Sequence, residues 1–196
     1  MEELKQAIRE KMQNKEIPLD DQLIEKYIDL LQFKTVKKKE LIGQPGTVRT
    51  SETFVMQGAF RAFVIDQAGN EQTIQFAVEG WYINDQRSYI AGEPSTMYLE
   101  ALEDSTVADI PKDQFEALCD DYPEMQKLYR VTAQSGFAYA QKRMISNLQK
   151  SAEERYLEFH RNYGHIEQRV PQHALASYLN MSQEYLSKIK SKLNSK

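Results

Sequence analysis

The stretch "RVPQHALASYLNMSQEYLSKIKSKL", Arg169–Leu193, decides how the chain is read. Its apolar residues recur three and four apart, the period of a helix, and the spacing resets at "NMSQ". Pro171 suits a helix start, and Gln172 to about Leu179 forms the first helix, with Ala174, Leu175 and Tyr178 or Leu179 inward. Asn180 stands where the chain must turn sharply, and Asn tolerates the left-handed backbone that such turns need. Ser182 caps a second helix, Gln183 to about Asn194, with Tyr185, Leu186, Ile189 and Leu193 expected inward. Helix, short turn, capped helix is the helix-turn-helix layout. In that layout the start of the second helix meets base edges in the DNA major groove. Gln183, Glu184 and Lys188 face outward there, and each has a base partner: adenine, cytosine and guanine respectively. A plain helical hairpin with a solvated polar face is the competing reading.

Charge is distributed in the same sense. The 196 residues carry a net charge of −4, which alone argues against a nucleic-acid partner. Residues 1–141, however, hold 15 basic and 24 acidic side chains, a balance of −9, whereas residues 142–196 hold 10 and 5, a balance of +5. An acidic body with a basic end fits a small DNA-touching module on a body that stays clear of it. No run of eighteen apolar residues is present, so no membrane span is expected, and the charged amphipathic start is not a signal peptide. The single cysteine, Cys119, forms no internal disulfide and holds no iron–sulfur cluster. His160, His165 and His173 lack paired metal-ligand spacing, so no metal or cofactor is expected. A cytoplasmic protein is the simplest expectation. Eight glycines without a phosphate loop or G-x-S-x-G make an enzyme an unlikely class.

Ahead of this end, residues 4–12 and 20–31 read as helices, the second with Leu23, Ile24, Tyr27, Ile28 and Leu31 on one face. From Phe33 the chain turns to short β-branched and aromatic runs: "FKTVKKKELI", "TFVMQGAFRAFVID", "EQTIQFAV", "STMYLEAL" and "STVADIP". Turn signals divide them, and Asp66–Asn70 reads as a hairpin tip with Gly69 free to take positive φ. Such spacing predicts an antiparallel barrel or jelly roll. "KDQFEALCDDY" is a short helix, and a long one runs from Pro123 to about Leu148. It has two apolar faces: Met125, Tyr129, Thr132, Gly136 and Tyr139 on one, Leu128, Val131, Ala138 and Ile145 on the other. One face suits its own domain and the other a second copy. Ser151 and Glu154 form a capping box that starts another helix, expected to end near Gly164.

The segments "EGWYINDQRSYIAGEPSTMYLEALEDS" (79–105), "SAEERYLEFH" (151–160) and Arg169–Leu193 resemble the Crp/Fnr family of bacterial transcription regulators, particularly its short members with a degenerate sensor. The resemblance implies an α+β fold: a β-roll with N-terminal helices over 1–122, a dimerisation helix over 123–148 and a helix-turn-helix domain over 149–196. It implies a homodimer reading double-stranded DNA at an imperfect palindrome. It also implies a β-hairpin wing, for which no residues follow the last helix, so a full wing is not expected.

In the cyclic-AMP-binding members, a Gly-Glu pair and an Arg followed by Ser or Thr grip the nucleotide. Those positions correspond here to Asn84-Asp85 and Ser95-Thr96. A buried phosphodiester needs a positive partner, and the Arg is missing, so the effector expected is something other than cyclic AMP. Tyr82, Asn84, Asp85, Arg87, Ser95 and Thr96 are the candidate effector site. At the DNA end the resemblance gives Gln183, Glu184 and Lys188 as base readers and Gln172 and Ser182 as phosphate contacts; Lys190 and Lys192, basic residues of the same helix, are expected to be further phosphate contacts. The rival reading is a ligand-binding or interaction module whose helix-turn-helix no longer touches DNA.

Overall fold

The computed structural model describes residues 2–13 and 17–194, so residues 1, 14–16 and 195–196 lie outside it. Two N-terminal helices, α1 (Glu2–Gln13) and α2 (Asp21–Asp29), precede the strands. Asp20 caps α2 by accepting from Gln22 N, 2.6 Å away. The predicted strand region resolves into β1 (Gln32–Val36), β2 (Leu41–Gly43), β3 (Ser51–Gln57), β4 (Phe60–Ile65), β5 (Glu71–Ala77), β6 (Tyr82–Ile83), β7 (Tyr98–Ala101) and β8 (Ser105–Pro111). A short helix, α3 (Gln86–Ala91), interrupts them after β6. "FKTVKKKELI" is two strands rather than one, broken where Lys39 takes φ 70°.

The strands form two antiparallel four-stranded sheets, ordered β1-β8-β3-β6 and β2-β7-β4-β5. Their inner faces meet in an apolar core that includes Val36, Val55, Phe60, Ile83, Leu99 and Val107. This is the predicted jelly roll. The Asp66–Asn70 tip closes β4 onto β5, with Asp66 accepting from Ala68 N and Asn70 N at 2.9 Å and Gly69 at φ 85°. On the outer face of the first sheet, α1, α2 and α4 (Lys112–Asp121) pack with Phe54, Ala108 and Ile110.

The long helix α5 runs from Pro123 to Gln149. Met125 is buried, and Tyr129 and Tyr139 are half-buried on the same side. Leu128 joins that packed side rather than the free one. The opposite side carries Val131, Ala138 and Ile145, as predicted, together with Phe137 (70% exposed), Met144 (64%) and Leu148 (82%).

Ser151 and Glu154 make the predicted capping box at the start of α6 (Ala152–Glu167). The first stretch of this helix ends near Gly164, as expected: the chain leaves helical geometry at Tyr163, and a short helical stretch then resumes to Glu167. Then α7 (Gln172–Tyr178) and α8 (Gln183–Asn194) complete the helix-turn-helix, with Asn180 at φ 54° in the turn. Ser182 Oγ accepts from Tyr185 N at 3.2 Å, the N-cap bond that the sequence predicts.

The helical end docks on the roll. One core cluster holds Phe76, Val78, Ala59 and Leu102 of the roll together with Phe159, Leu175, Tyr178 and Leu186. Polar contacts flank it. Thr73 N donates to Ser177 Oγ at 3.1 Å, and Arg169 donates with both terminal nitrogens to Glu79 at 2.8 Å and with one to Glu103. The Arg169 guanidinium holds the Glu79 carboxyl down, from 4.5 to about 2. A depressed carboxyl pKa contributes stability that is complete above the unfolded value and is lost as pH falls through the folded one. Docking therefore weakens between about 4.5 and about 2. Followed by the fluorescence of Trp81, which packs against this core, wild type is expected to undock at lower pH than Arg169→Ala. Coincident curves would mean that the ion pair does not hold the two parts together.

Candidate effector and nucleic-acid sites

The candidate effector residues fall into two groups. Asn84, Asp85 and Ser95 are buried together at one end of the roll, with Thr96 at its rim. Asp85 caps α3 by accepting from Ser88 N at 3.2 Å, and it also accepts from Ser95 Oγ at 2.8 Å and Thr96 N at 3.4 Å. Tyr82 departs from the expectation. Alternation in β6 turns Ile83 into the roll and Tyr82 to the outer face, where its ring meets Phe54 and its hydroxyl lies 3.2 Å from that of Tyr27; Asn84 follows the end of the strand. Arg87 is also apart, exposed on α3 in an ion pair with Glu93.

Sequence reasoning missed Arg49, which organises the buried group. Its Nε donates to Asn84 Oδ1 at 2.8 Å, one Nη to Ile42 O at 2.7 Å and the other to Thr53 Oγ1 at 3.0 Å. Asn84 then donates to Ser51 O and Glu52, while Thr53 donates to Asp109 at 2.6 Å. Burial draws the Arg49 pKa down, and nearby Asp109, Glu52 and Asp85 oppose that. A lone Arg in a loop gives no periodic signal, and its partners lie on three other segments. The effect is a site whose donors are matched internally and whose surroundings are acidic. An added phosphodiester would displace existing bonds and face carboxylates.

At the other end of the molecule, Gln183, Glu184, Ser187 and Lys188 are exposed on α8. Tyr185 is a correction: it does not face inward but is 47% exposed, beside Gln183, Glu184 and Lys188 on the first turns. Three inward residues, Leu186, Ile189 and Leu193, suffice to seat the helix. Gln172 reaches across the motif to Ser187 Oγ at 2.6 Å. Lys190 pairs with Glu167 at 2.7 Å, and Lys192 with Glu153 at 2.9 Å. Glu167 in turn accepts from Tyr156 at 3.0 Å and lies 2.7 Å from His160 Nδ1. Much of the positive charge of this end is thus matched within the protein. Arg155 is spent on backbone, donating to Leu179 O at 2.8 Å, Lys150 O at 2.6 Å and Asn180 O at 3.1 Å, which fixes the turn of the motif to α6.

Comparison with known proteins agrees with this geometry. Residues 33–122 match the cyclic nucleotide-binding domain family. A comparison with curated protein sequences finds no match. Among solved structures, FixK2 of Bradyrhizobium japonicum superposes with a TM-score of 0.71 at 18% identity, covering 84% of this chain and 85% of its own. The c-di-GMP-responsive global regulator CLP of Xanthomonas campestris gives 0.72 at 14% identity, over 90% and 92%. A CooA mutant from Carboxydothermus hydrogenoformans gives 0.69 at 16%, over 96% and 84%. At these identities the likeness is one of fold.

The internally matched site generates a prediction. Cyclic AMP titrated into the protein in a calorimeter is expected to give no micromolar binding. Arg49→Gln is expected to destabilise the roll, because Asn84 and the Ile42 carbonyl lose a charged donor, at a cost of about 1–3 kcal/mol. Tight nucleotide binding by wild type would show that the Arg49 network opens for an anion.

Proposed function

We propose that this chain, which has the Crp/Fnr fold and a cyclic nucleotide-binding-type domain over 33–122, is a DNA-binding transcription regulator that acts as a homodimer and answers to an effector other than cyclic AMP. Residues 1–122 are the sensor, 123–148 the dimerisation helix and 149–196 the DNA-reading domain. The observation that carries the reading is α8 itself, capped by Ser182, with Gln183, Glu184, Tyr185 and Lys188 clear of the protein on its leading turns. Amides at such an end favour phosphate, and the side chains reach base edges. Gln172 and Ser182 lie where phosphates would pass. Lys190 and Lys192 would exchange Glu167 and Glu153 for phosphate, so their net contribution is small. The effector site is the buried group around Asn84, Asp85, Ser95 and Thr96; Tyr82 and Arg87 stand outside it.

A second reading has a specific observation behind it. Gln183, Glu184, Tyr185, Ser187 and Lys188 sum to zero net charge, which suits a protein-interaction surface as well as a base-reading one.

Two measurements separate these readings. Anisotropy with a selected duplex and a scrambled one is expected to show Lys188→Ala losing about 1–3 kcal/mol on the selected site and little on the scrambled one. Lys190→Ala and Lys192→Ala are expected to weaken both duplexes slightly and alike. Replacing thymine by deoxyuridine, which removes only the C5 methyl, is expected to weaken wild type at one position per half-site and Tyr185→Ala at none, since an exposed ring beside the base readers fits that methyl. If none of these changes alters binding, α8 does not read DNA and the interaction reading prevails.

The dimer is tested separately. The apolar side of α5 is expected to bring two chains of 22.8 kDa together. Sedimentation of Phe137→Glu/Ile145→Glu is expected to show monomer where wild type shows dimer. A monomeric wild type at micromolar concentration contradicts the proposal.

A further inference from the structure

The acidic body has one basic turn. Lys37, Lys38 and Lys39 follow one another between β1 and β2, and all three are exposed. The turn is closed by Glu40 N, which donates to Lys37 O at 2.9 Å, and is fixed to β7 by Lys39 N, which donates to Ala101 O at 2.7 Å. Asp104 holds it from the other side, accepting from Lys38 N at 3.0 Å and from Lys37 Nζ at 2.9 Å. These two donors pull the Asp104 carboxyl below its usual range. Glu40 accepts from Lys37 N at 2.9 Å. Both neighbouring carboxylates are therefore engaged with Lys37 or with backbone. Among the described residues, neither the Lys38 nor the Lys39 ammonium forms an ion pair.

Lys39 also stands at φ 70°, a left-handed value that, among the described non-glycine residues, only Asn180 shares. Glycine suits that conformation, and a lysine there costs backbone stability. No contact of its side chain within the protein offsets the cost. Local strain of this kind points to a use for the side chain.

The turn is also well placed. Glu103, beside Asp104, accepts from Arg169, which stands three residues before Gln172 at the start of α7. Gln172 in turn donates to Ser187 on the exposed side of α8. The basic turn thus lies on the end of the roll to which the leading edge of the helix-turn-helix is tied. Within that motif Lys190 and Lys192 are matched by Glu167 and Glu153, whereas the Lys38 and Lys39 ammoniums are open to an anion. An ammonium is a point charge without a planar fork, suited to phosphates along a backbone rather than to one base.

We propose that Lys38 and Lys39 hold backbone phosphates of the duplex outside the bases that α8 reads, so that the roll itself forms part of the DNA interface. The proposal rests on DNA reading by α8. Each chain of a dimer would hold one flank, and the contact would add affinity without sequence choice.

Full-length protein is titrated by anisotropy against two duplexes: the selected palindrome alone, and the same palindrome extended by about one helical turn on each side. Wild type is expected to bind the extended duplex about tenfold more tightly at low salt, with a log–log salt slope steeper by about one unit for each phosphate held. Lys38→Gln/Lys39→Gln is expected to lose that gain and that extra slope, and to bind the palindrome alone as wild type does. Lys39→Gly, which relieves the turn, is expected to melt no lower than wild type and still to lose part of the gain. Lys127→Gln, exposed on α5, is expected to change neither duplex. Equal binding of the two duplexes by wild type overturns the proposal. So does a double variant that weakens both duplexes alike, which would make the turn a bulk-charge effect. A double variant that leaves the extended duplex unchanged overturns it as well, and its loss of binding to a poly-glutamate peptide would assign the turn to an acidic protein instead. Lys188→Ala in the same titrations separates this contact from the reading beneath it. If wild type binds neither duplex, or Lys188→Ala changes nothing, α8 is not the reader and both ideas fall. If Lys188→Ala weakens both duplexes and extension changes nothing, the flank contact alone fails.

Discussion

The arrangement of the whole chain turns on Tyr178. Its ring packs on Phe76 of β5 at 5.1 Å and on Phe159 of α6 at 5.7 Å, while Arg143 of α5 covers it and Tyr139 of α5 takes its hydroxyl. One side chain of α7 thus joins the roll, the long helix α5 and α6. A tyrosine does this because its body is apolar and its tip is polar, so it fills a core and still ends on a partner. This contact seats α7 against α5, and Arg169 with Glu79 and Glu103 ties the segment before α7 to the roll. In a two-fold dimer built on α5, the separation of the two reading helices follows from that geometry.

Electrostatics refine what the bulk charge suggests. The basic end has a surplus of five charges, but Lys142, Lys150, Arg169, Lys190 and Lys192 all meet carboxylates within the protein. Two of those carboxylates, Glu79 and Glu103, belong to the acidic body. Part of the charge asymmetry therefore holds the molecule together rather than attracting a polyanion. In the DNA-binding role proposed above, such a domain would rely more on shape and base-edge contacts than on phosphate neutralisation, and its affinity would depend little on salt.

What was legible in the sequence is what local chemistry fixes. The capping box at Ser151, the cap at Ser182, the left-handed turn at Asn180 and the Asp66–Asn70 tip each depend on a few adjacent residues. The jelly roll and the helix-turn-helix followed from periodicity in the same way. What was not legible depends on contacts between distant segments. Tyr185 reads as inward because it stands four residues before Ile189, yet it is 47% exposed while Leu186 and Ile189 are buried. The short helical stretch after the break at Tyr163 was not legible either; it carries Ile166 into the core shared with the roll. Tyr82 and Asn84 are two residues apart and would share a face in a longer strand, but β6 ends at Ile83 and Asn84 leads into the cap of α3. Arg49, the centre of the buried polar network at the candidate effector site, is visible only once four segments have been brought together.

The central claim is that two copies of this chain read one duplex through paired α8 helices. Native mass spectrometry on a duplex recovered by selection from random sequence tests it most directly. The account predicts an enriched imperfect palindrome with half-sites one helical turn apart, about 34 Å, and a complex of two chains per duplex. Selection that enriches nothing, or a complex of one chain per duplex on a site without two-fold symmetry, would contradict it.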